Sequence, residues 1–351
     1  MTNTHDTPSI ALVLETNNLG GGQADRLALA SLRRVLDSLR AQTHDLADLH
    51  DVVITQDGWL DAHHATIERA LGRPVRLVAH AADVDYYGAK NAGFDATDAD
   101  IVVFADSDCV PEPQWLAALV APFSDAEPDA PVGVVAGRTS YRDDVVGRGL
   151  SAIDFMYFAS DHGPRCRRNF YANNVAFRRE VFASRRYRVA PEIYRGPCQA
   201  LGMALHADAV PVHFAPDAHT VHRFPDTWRE LAALRWLRGG DTTEMAPAIA
   251  EAAGVDPAWI RRLGTALPLA VLGGRLRYSL AATMGSRARW TLRGDPRAQS
   301  GSRWASAGVV IGVTALDAAG AMGRVITGRR HRASRRVLSY HADAPHPRTT
   351  P

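Results

Sequence analysis

Short apolar runs rich in β-branched residues alternate, through the first two thirds of the chain, with stretches whose apolar residues recur every three to four positions. Ser9 to Leu14, Val52 to Ile54, Val75 to Ala79, Ile101 to Ala105, Val132 to Ala136 and Val210 to Phe214 are too short for helices and predict buried strands. Leu27, Leu32, Val35, Leu36 and Leu39 share one helical face, and further helices are predicted near Ala62 to Leu71, Gly88 to Ala96 and Trp115 to Pro122. Strands and helices that alternate with short connections predict an α/β domain built on a parallel, doubly wound sheet.

Beyond residue 225 the pattern becomes helical throughout. Trp228 to Arg238 is amphipathic, and Thr265 to Met284 and Ala305 to Thr327 are long and apolar. The first of these long stretches is broken by Arg275 and Arg277, the second by Asp317 and Arg324, charges that are costly in the middle of a spanning helix. An arginine cluster follows the second stretch, from Arg329 to Arg336. Helices held at a membrane surface by basic side chains fit this pattern, and so does a pair of ordinary packed helices. The expected organisation is a catalytic domain over residues 8–225, a helical and membrane-associated extension over 226–340, and an unstructured tail over 341–351.

Composition narrows the function. A net charge of +2 gives no argument for nucleic acid as a partner. Cys109, Cys166 and Cys198 form no Cys-x-x-Cys pair, which argues against a disulfide framework and a zinc site. The first residues show no basic region followed by an apolar one, so a cytoplasmic protein, peripheral on the inner face of the membrane, is expected. The chain's 40 Lys and Arg residues are all arginine except Lys90.

The candidate chemistry sits at the end of the Ile101 to Ala105 strand, where the chain reads Asp106-Ser107-Asp108. The carboxyl end of a strand faces the ligand crevice in an open α/β sheet. Two carboxylates spaced i, i+2 can hold a hard divalent cation that takes further oxygen ligands from phosphate. Lys90, near a predicted helix start, is placed to meet a phosphate as a point charge, and Asn91 to fix that loop or touch the metal site. Asn173 and Asn174 carry donors and acceptors suited to sugar hydroxyls or a diphosphate.

Tyr87-Gly88-Ala89-Lys90-Asn91-Ala92-Gly93, the strand, Asp106-Ser107-Asp108, then Pro111-Glu112-Pro113-Gln114-Trp115-Leu116 together resemble the core of a family 2 glycosyltransferase. The resemblance covers roughly residues 8 to 225 and implies a GT-A-like fold with a doubly wound, mixed but mainly parallel sheet, an inverting hexosyl transfer from a nucleotide-sugar donor to a hydroxyl acceptor, and Mn²⁺ or Mg²⁺ on the diphosphate. It implies that Glu15-Thr16-Asn17-Asn18 forms the turn that contacts the nucleotide, with Thr16 and Asn18 as binding residues. It also implies that Asp57 holds the base or ribose, and that His222, in Val221-His222, joins Asp106 and Asp108 at the metal. Asn173 to Glu180 resembles the acceptor-side segment.

One segment departs from the family. Where its catalytic acids are expected before Leu201-Gly202, this chain has Pro197 and Cys198. A general base must be a carboxylate or imidazole within reach of the acceptor hydroxyl. Glu192 and Asp161 are the substitute candidates, with His162 beside them. Loss of the base leaves a non-catalytic, nucleotide-sugar-binding member as a second class. A nucleotidyltransferase is a third, against which Gly20-Gly21-Gly22 has only Arg26 nearby. The glutamine of a processive synthase is absent before Arg235-Trp236.

Overall fold

The structure, a computed structural model, describes residues 8–16, 25–81, 83–126, 131–188, 196–225, 227–252, 254–284 and 300–328. Its chain divides into two units. The first takes the described residues of Met1–Thr139, Tyr157–Val189 and Pro197–Val221, and the second those of Ser140–Met156, Ala190–Gly196 and His222–Pro351.

The chain opens with β1 (Ile10–Glu15), α1 (Asp25–Arg40), β2 (Asp51–Gln56), α2 (His64–Leu71), β3 (Arg76–Ala79), α3 (Tyr86–Asp95), β4 (Ile101–Asp106), β5 (Cys109–Pro111), α4 (Trp115–Ser124) and β6 (Val134–Ser140). After α5 (Val145–Asp154), which belongs to the second unit, come β7 (Ala159–Ser160), β8 (Gly163–Arg167), β9 (Asn174–Arg178), α6 (Arg179–Arg185), α7 (Pro197–Ala207) and β10 (Val212–His222).

Among the described residues the strands form one mixed sheet in the order β3-β2-β1-β4-β9-β6-β10-β8-β7, with β5 paired to β10. The block β3-β2-β1-β4 is parallel, and its strands are linked by α1, α2 and α3. β9 enters antiparallel between β4 and β6. The apolar runs that predict strands become the buried centre: all six residues of β4 are buried, and so is β1 from Ala11 onward. Phe104, Phe177, Phe182 and Tyr187 interlock on one side of β4 and β9, with ring centroids of Phe104 and Phe182 4.9 Å apart and those of Phe177 and Phe182 5.1 Å apart. Each such aromatic pair adds about 0.5–1.5 kcal/mol beyond its area burial.

The strand expected to stop at Phe214 continues as β10 through Pro216 to His222. A proline removes a ladder donor, which makes it read as a stop. Here the Pro216 carbonyl accepts from Arg138 Nε at 3.2 Å, and the strand goes on.

In the second unit α5 is followed by α8 (Trp228–Ala252), α9 (Pro257–Leu263), α10 (Leu267–Met284) and α11 (Ser300–Thr327). The long apolar stretches are therefore helices; of the charges that interrupt them, Asp317 and Arg324 turn inward, whereas Arg275 is half-buried and Arg277 exposed. Arg235 Nε meets Asp317 Oδ1 at 2.7 Å and Arg235 Nη1 meets Asp154 Oδ1 at 2.6 Å, while Arg238 also pairs with Asp154. Arg235 and Asp317 are wholly buried.

Candidate functional site

The site begins with how α3 lies on the sheet. A Cβ on Gly93 would stand 2.4 Å from Val13 Cγ1 and 3.0 Å from Thr55 Cγ2, so only glycine lets this helix approach β1 and β2 so closely. Asp85 caps the helix, accepting from the Gly88 amide at 2.6 Å. One turn inside, Lys90 is carried over the carboxyl ends of the parallel strands. The Ala-Lys-Asn-x-Gly pattern thus has a packing cause at its glycine and an electrostatic consequence at its lysine.

Lys90 Nζ donates to Asp106 Oδ1 at 2.6 Å and to the Ala105 carbonyl at 3.2 Å. Tyr86 OH reaches both Asp106 oxygens, at 3.0 and 2.8 Å. Lys90 is wholly inaccessible and the Asp106 side chain is 4% exposed. The lysine expected to face a phosphate is therefore engaged with Asp106 in this structure. Burial pushes the Asp106 carboxyl above its ordinary range; Lys90 opposes that, and Asp108 adds to it by like-charge repulsion. Burial, with Asp106 next, raises the Tyr86 phenol well above its usual value, so it stays a donor.

Asp108 is also buried, and between the two carboxylates the Ser107 hydroxyl is inaccessible and has no hydrogen-bond partner. The Ser107 amide donates to the Glu15 carbonyl at 2.9 Å, which holds the turn against the end of β1. Cys109 Sγ lies 3.5 Å from Asp108 Oδ1, and burial together with the two carboxylates keeps its thiol protonated. Two carboxylates and a hydroxyl thus lie together in a buried setting, a donor set that could hold a hard divalent cation.

Two members of this cluster escaped the sequence reading. Glu15, expected in a loop, ends β1 in register with Asp106 and is wholly buried. Tyr86 stands immediately before the Tyr87 to Gly93 pattern, and its position one helical turn before Lys90 was the signal that both face the same way.

The other expected residues divide by what they touch. Thr16 Oγ1 donates to the Thr55 carbonyl at 2.7 Å and ties β1 to β2. Asp57 begins the loop after β2, a loop shaped by Gln56, whose Oε1 accepts from the Gly58 and Leu60 amides at 2.6 and 3.1 Å. Gly58 adopts φ +98°, the region that favours glycine. Asn91 Nδ2 donates to the Tyr187 carbonyl at 2.9 Å.

Asn173 Oδ1 accepts from Thr139 Oγ1 at 3.0 Å. Asn174 is wholly buried: its Oδ1 accepts from Trp115 Nε1 at 2.8 Å, and its Nδ2 donates to the Arg138 and Ala218 carbonyls at 2.9 Å each. Both of its amide hydrogens are committed to β6 and β10. Asn18 and Glu192 lie outside the described residues. Asp161 is exposed on the β7–β8 turn, 3.4 Å from His206 Nε2, with the His162 ring 5.0 Å from that of His206.

His222 closes β10 and belongs to the second unit, where its Nδ1 donates to the Arg223 carbonyl at 2.8 Å and its ring packs edge-on against Tyr141. At the start of α7, Pro197 and Cys198 are buried in the first unit's core, and Tyr87 OH donates to Cys198 Sγ at 3.4 Å.

Residues 27–186 match the model of a family described as glycosyl transferase family 2. No curated protein matches the chain. Among solved structures the chain is similar to a mannosyltransferase from Pyrobaculum calidifontis in complex with GDP-Man and Mn²⁺. The TM-score is 0.56, with 18% identity over 92% of this chain and 88% of that one. It is also similar to glucosyl-3-phosphoglycerate synthase from Mycobacterium tuberculosis with phosphoglyceric acid, with a TM-score of 0.45 and 20% identity over 71% of this chain and 81% of that one. The same synthase with Mn²⁺, UDP and glucosyl-3-phosphoglycerate gives a TM-score of 0.44 and 20% identity over the same shares, 71% and 81%. The likeness to the first structure identifies the fold as GT-A-like.

Proposed function

Because residues 27–186 belong to glycosyl transferase family 2, in a divergent member that lacks the family's usual acids before Leu201-Gly202, we propose that this chain moves a hexosyl group from a nucleoside-diphosphate sugar to a hydroxyl acceptor, with inversion. The observation that carries the reading is the buried Asp106-Ser107-Asp108 turn at the end of β4, with Lys90 and Tyr86 on Asp106. The catalytic body in this reading is residues 8–225.

Asp106 and Asp108 would hold Mn²⁺ or Mg²⁺, a role supported by their oxygen chemistry, by the orphaned Ser107 hydroxyl between them and by the mutual repulsion that a cation would relieve. The bound ion would supply charge stabilisation for the diphosphate leaving group. Lys90 and Tyr86 position the Asp106 carboxylate and keep its orientation fixed. Thr16 and Asp57, with Asn18, would form the nucleoside side of the site, Asn91 would fix the α3 end of it, and Asn173 would meet the sugar or acceptor. Asn174 would act through the frame it holds together. His222→Ala tests the further metal ligand that the family resemblance implies.

Deprotonation of the acceptor falls to Glu192 or Asp161 in this reading. Glu192→Gln and Asp161→Asn, assayed for kcat across pH, separate the two. The reading as a whole is tested by Asp108→Asn: metal-dependent donor turnover should fall at least a hundredfold while the chain stays folded. Unchanged turnover in that variant overturns it. The buried Pro197 and Cys198 favour one other reading, a member that binds nucleotide sugar without turning it over. It requires metal-dependent donor binding with no release of nucleoside diphosphate.

A further inference from the structure

One helix of the second unit, α11, turns an uncharged apolar face outward. On α11 the large residues left exposed are Trp304, Ile311, Leu316, Met322, Val325 and Ile326, from 37% to 77% accessible. Every other exposed position between Trp304 and Ile326 is alanine or glycine, so this face bears no charge along its length. The opposite face, turned into the unit, holds Ser306, Thr314, Asp317 and Arg324 among buried Ala307, Val310, Val313 and Ala321. At the start of α8, Trp228 and Trp236 are likewise 74% and 44% exposed while Arg235 and Arg238 are buried, although Arg229 is exposed and Leu231 and Leu234 are buried beside them.

The inward groups are paired. Asp317 and Asp154 receive Arg235, and Arg324 Nη2 meets Glu244 Oε1 at 2.5 Å. Close packing of small residues brings the two helices together: a Cβ on Gly239 would stand 2.0 Å from the Asp317 carbonyl, and one on Gly320 would stand 2.3 Å from the Trp236 carbonyl.

A helix resting on a protein body in water buries its apolar side and shows its polar one. The reverse arrangement, with ionisable groups inside and paired, with glycine at the helix contacts and with an apolar exterior, is the one that hydrocarbon surroundings select. Within Ser302–Thr327 an 18-residue apolar window is only 39% buried, so most of it faces away from the unit. From Trp304 to Ile326 the uncharged face runs about 33 Å, close to the thickness of a bilayer's hydrocarbon core of about 30 Å. Charge complementarity names the occupant: the sequence directly after α11 supplies Arg329, Arg330, Arg332, Arg335 and Arg336, cations suited to anionic headgroups, and Trp304 stands at the other end of the face as an interfacial aromatic.

We propose that the outer face of α11, continued by Trp228 and Trp236 of α8, is a lipid-contacting surface and that an anionic phospholipid bilayer covers it. The test is flotation of the purified full chain with vesicles of phosphatidylcholine alone and of phosphatidylcholine with phosphatidylglycerol, at low and high salt. It is run alongside Ile311→Asp combined with Ala315→Asp, both at exposed positions. The wild type should float with the vesicles, more completely when they are anionic. The double variant, with unchanged far-UV circular dichroism and the same soluble yield, should lose at least tenfold in vesicle partitioning. A wild type that stays at the bottom of the gradient with both compositions overturns the proposal, and so does a variant that floats equally well. Concentration-dependent self-association that the variant abolishes, without vesicle binding, would assign the face to a second copy of the chain and equally overturn it.

Discussion

Replacing Lys90 with methionine removes one charge from a site that water does not reach, and the size of the effect follows from the geometry. Lys90 Nζ and Asp106 Oδ1 are 2.6 Å apart, and the two side chains are 0% and 4% exposed. At an effective dielectric constant of about 20, their attraction is about 6 kcal/mol, part of which offsets the cost of desolvating both groups. Removing one partner of such a pair costs about 3–5 kcal/mol, against a total stability of about 5–15 kcal/mol for a folded domain.

The loss should also depend on pH. Burial already raises the Asp106 carboxyl and Lys90 holds it back, so the variant raises it further. An acid whose folded pKa lies above its unfolded one binds more protons when folded, and its contribution to stability falls as pH rises through that window. The deficit relative to wild type should therefore grow as pH rises above the ordinary carboxylate range, by up to about 1.4 kcal/mol per pH unit. Urea unfolding followed by circular dichroism, in EDTA, measures it at each pH. A Lys90→Met protein within about 0.5 kcal/mol of wild type at pH 8, or a deficit that does not change with pH, would refute the reasoning.

Three further outcomes are expected. Asn174→Ala removes the partner of the Trp115 indole and two carbonyl acceptors' donor, and should cost about 2–4 kcal/mol by urea unfolding, at about 1 kcal/mol per bond plus an orphaned N–H. Arg235→Met leaves Asp317 and Asp154 short of a cation and should destabilise the chain by about 3–5 kcal/mol, whereas Arg235→Met with Asp317→Leu should recover much of that loss. Ser9→Ala deletes one of the two hydrogen bonds that hold the Asp100 carboxyl below its ordinary range. An acid with a depressed folded pKa loses its contribution as pH falls through that pKa, so the variant's acid loss should begin at a higher pH, which the Asp100 carboxyl signal in an NMR titration would track.

The parallel half of the sheet was legible because β1, β2 and β4 are continuous apolar runs that end at polar residues, and burial on both faces requires that pattern. β9 was not, since Asn174 to Arg178 is short, begins and ends polar, and draws its stability from β4 and β6 on either side. The Asp106-Ser107-Asp108 turn could be found from its place at a strand end. The partners that define its chemistry could not, because Tyr86 and Lys90 lie 20 and 16 residues away and meet Asp106 only once α3 is packed on Gly93. Asn174 shows the same limit from the other side: two asparagines in a row suggest a polar ligand, but the groups that one of them satisfies belong to Trp115, Arg138 and Ala218. The apolar length of α11 was plain in the sequence, while the direction in which Asp317 and Arg324 face is a property of the packed helices alone.

The most direct test of the central claim is release of nucleoside diphosphate by the purified chain from a panel of UDP-, GDP- and dTDP-sugars, with Mn²⁺, with Mg²⁺ and with EDTA. The account predicts release from at least one donor in the presence of a divalent ion, abolished by EDTA and by Asp108→Asn. Release that is indifferent to EDTA and to that substitution, or no binding of any nucleotide sugar with either metal, would contradict it.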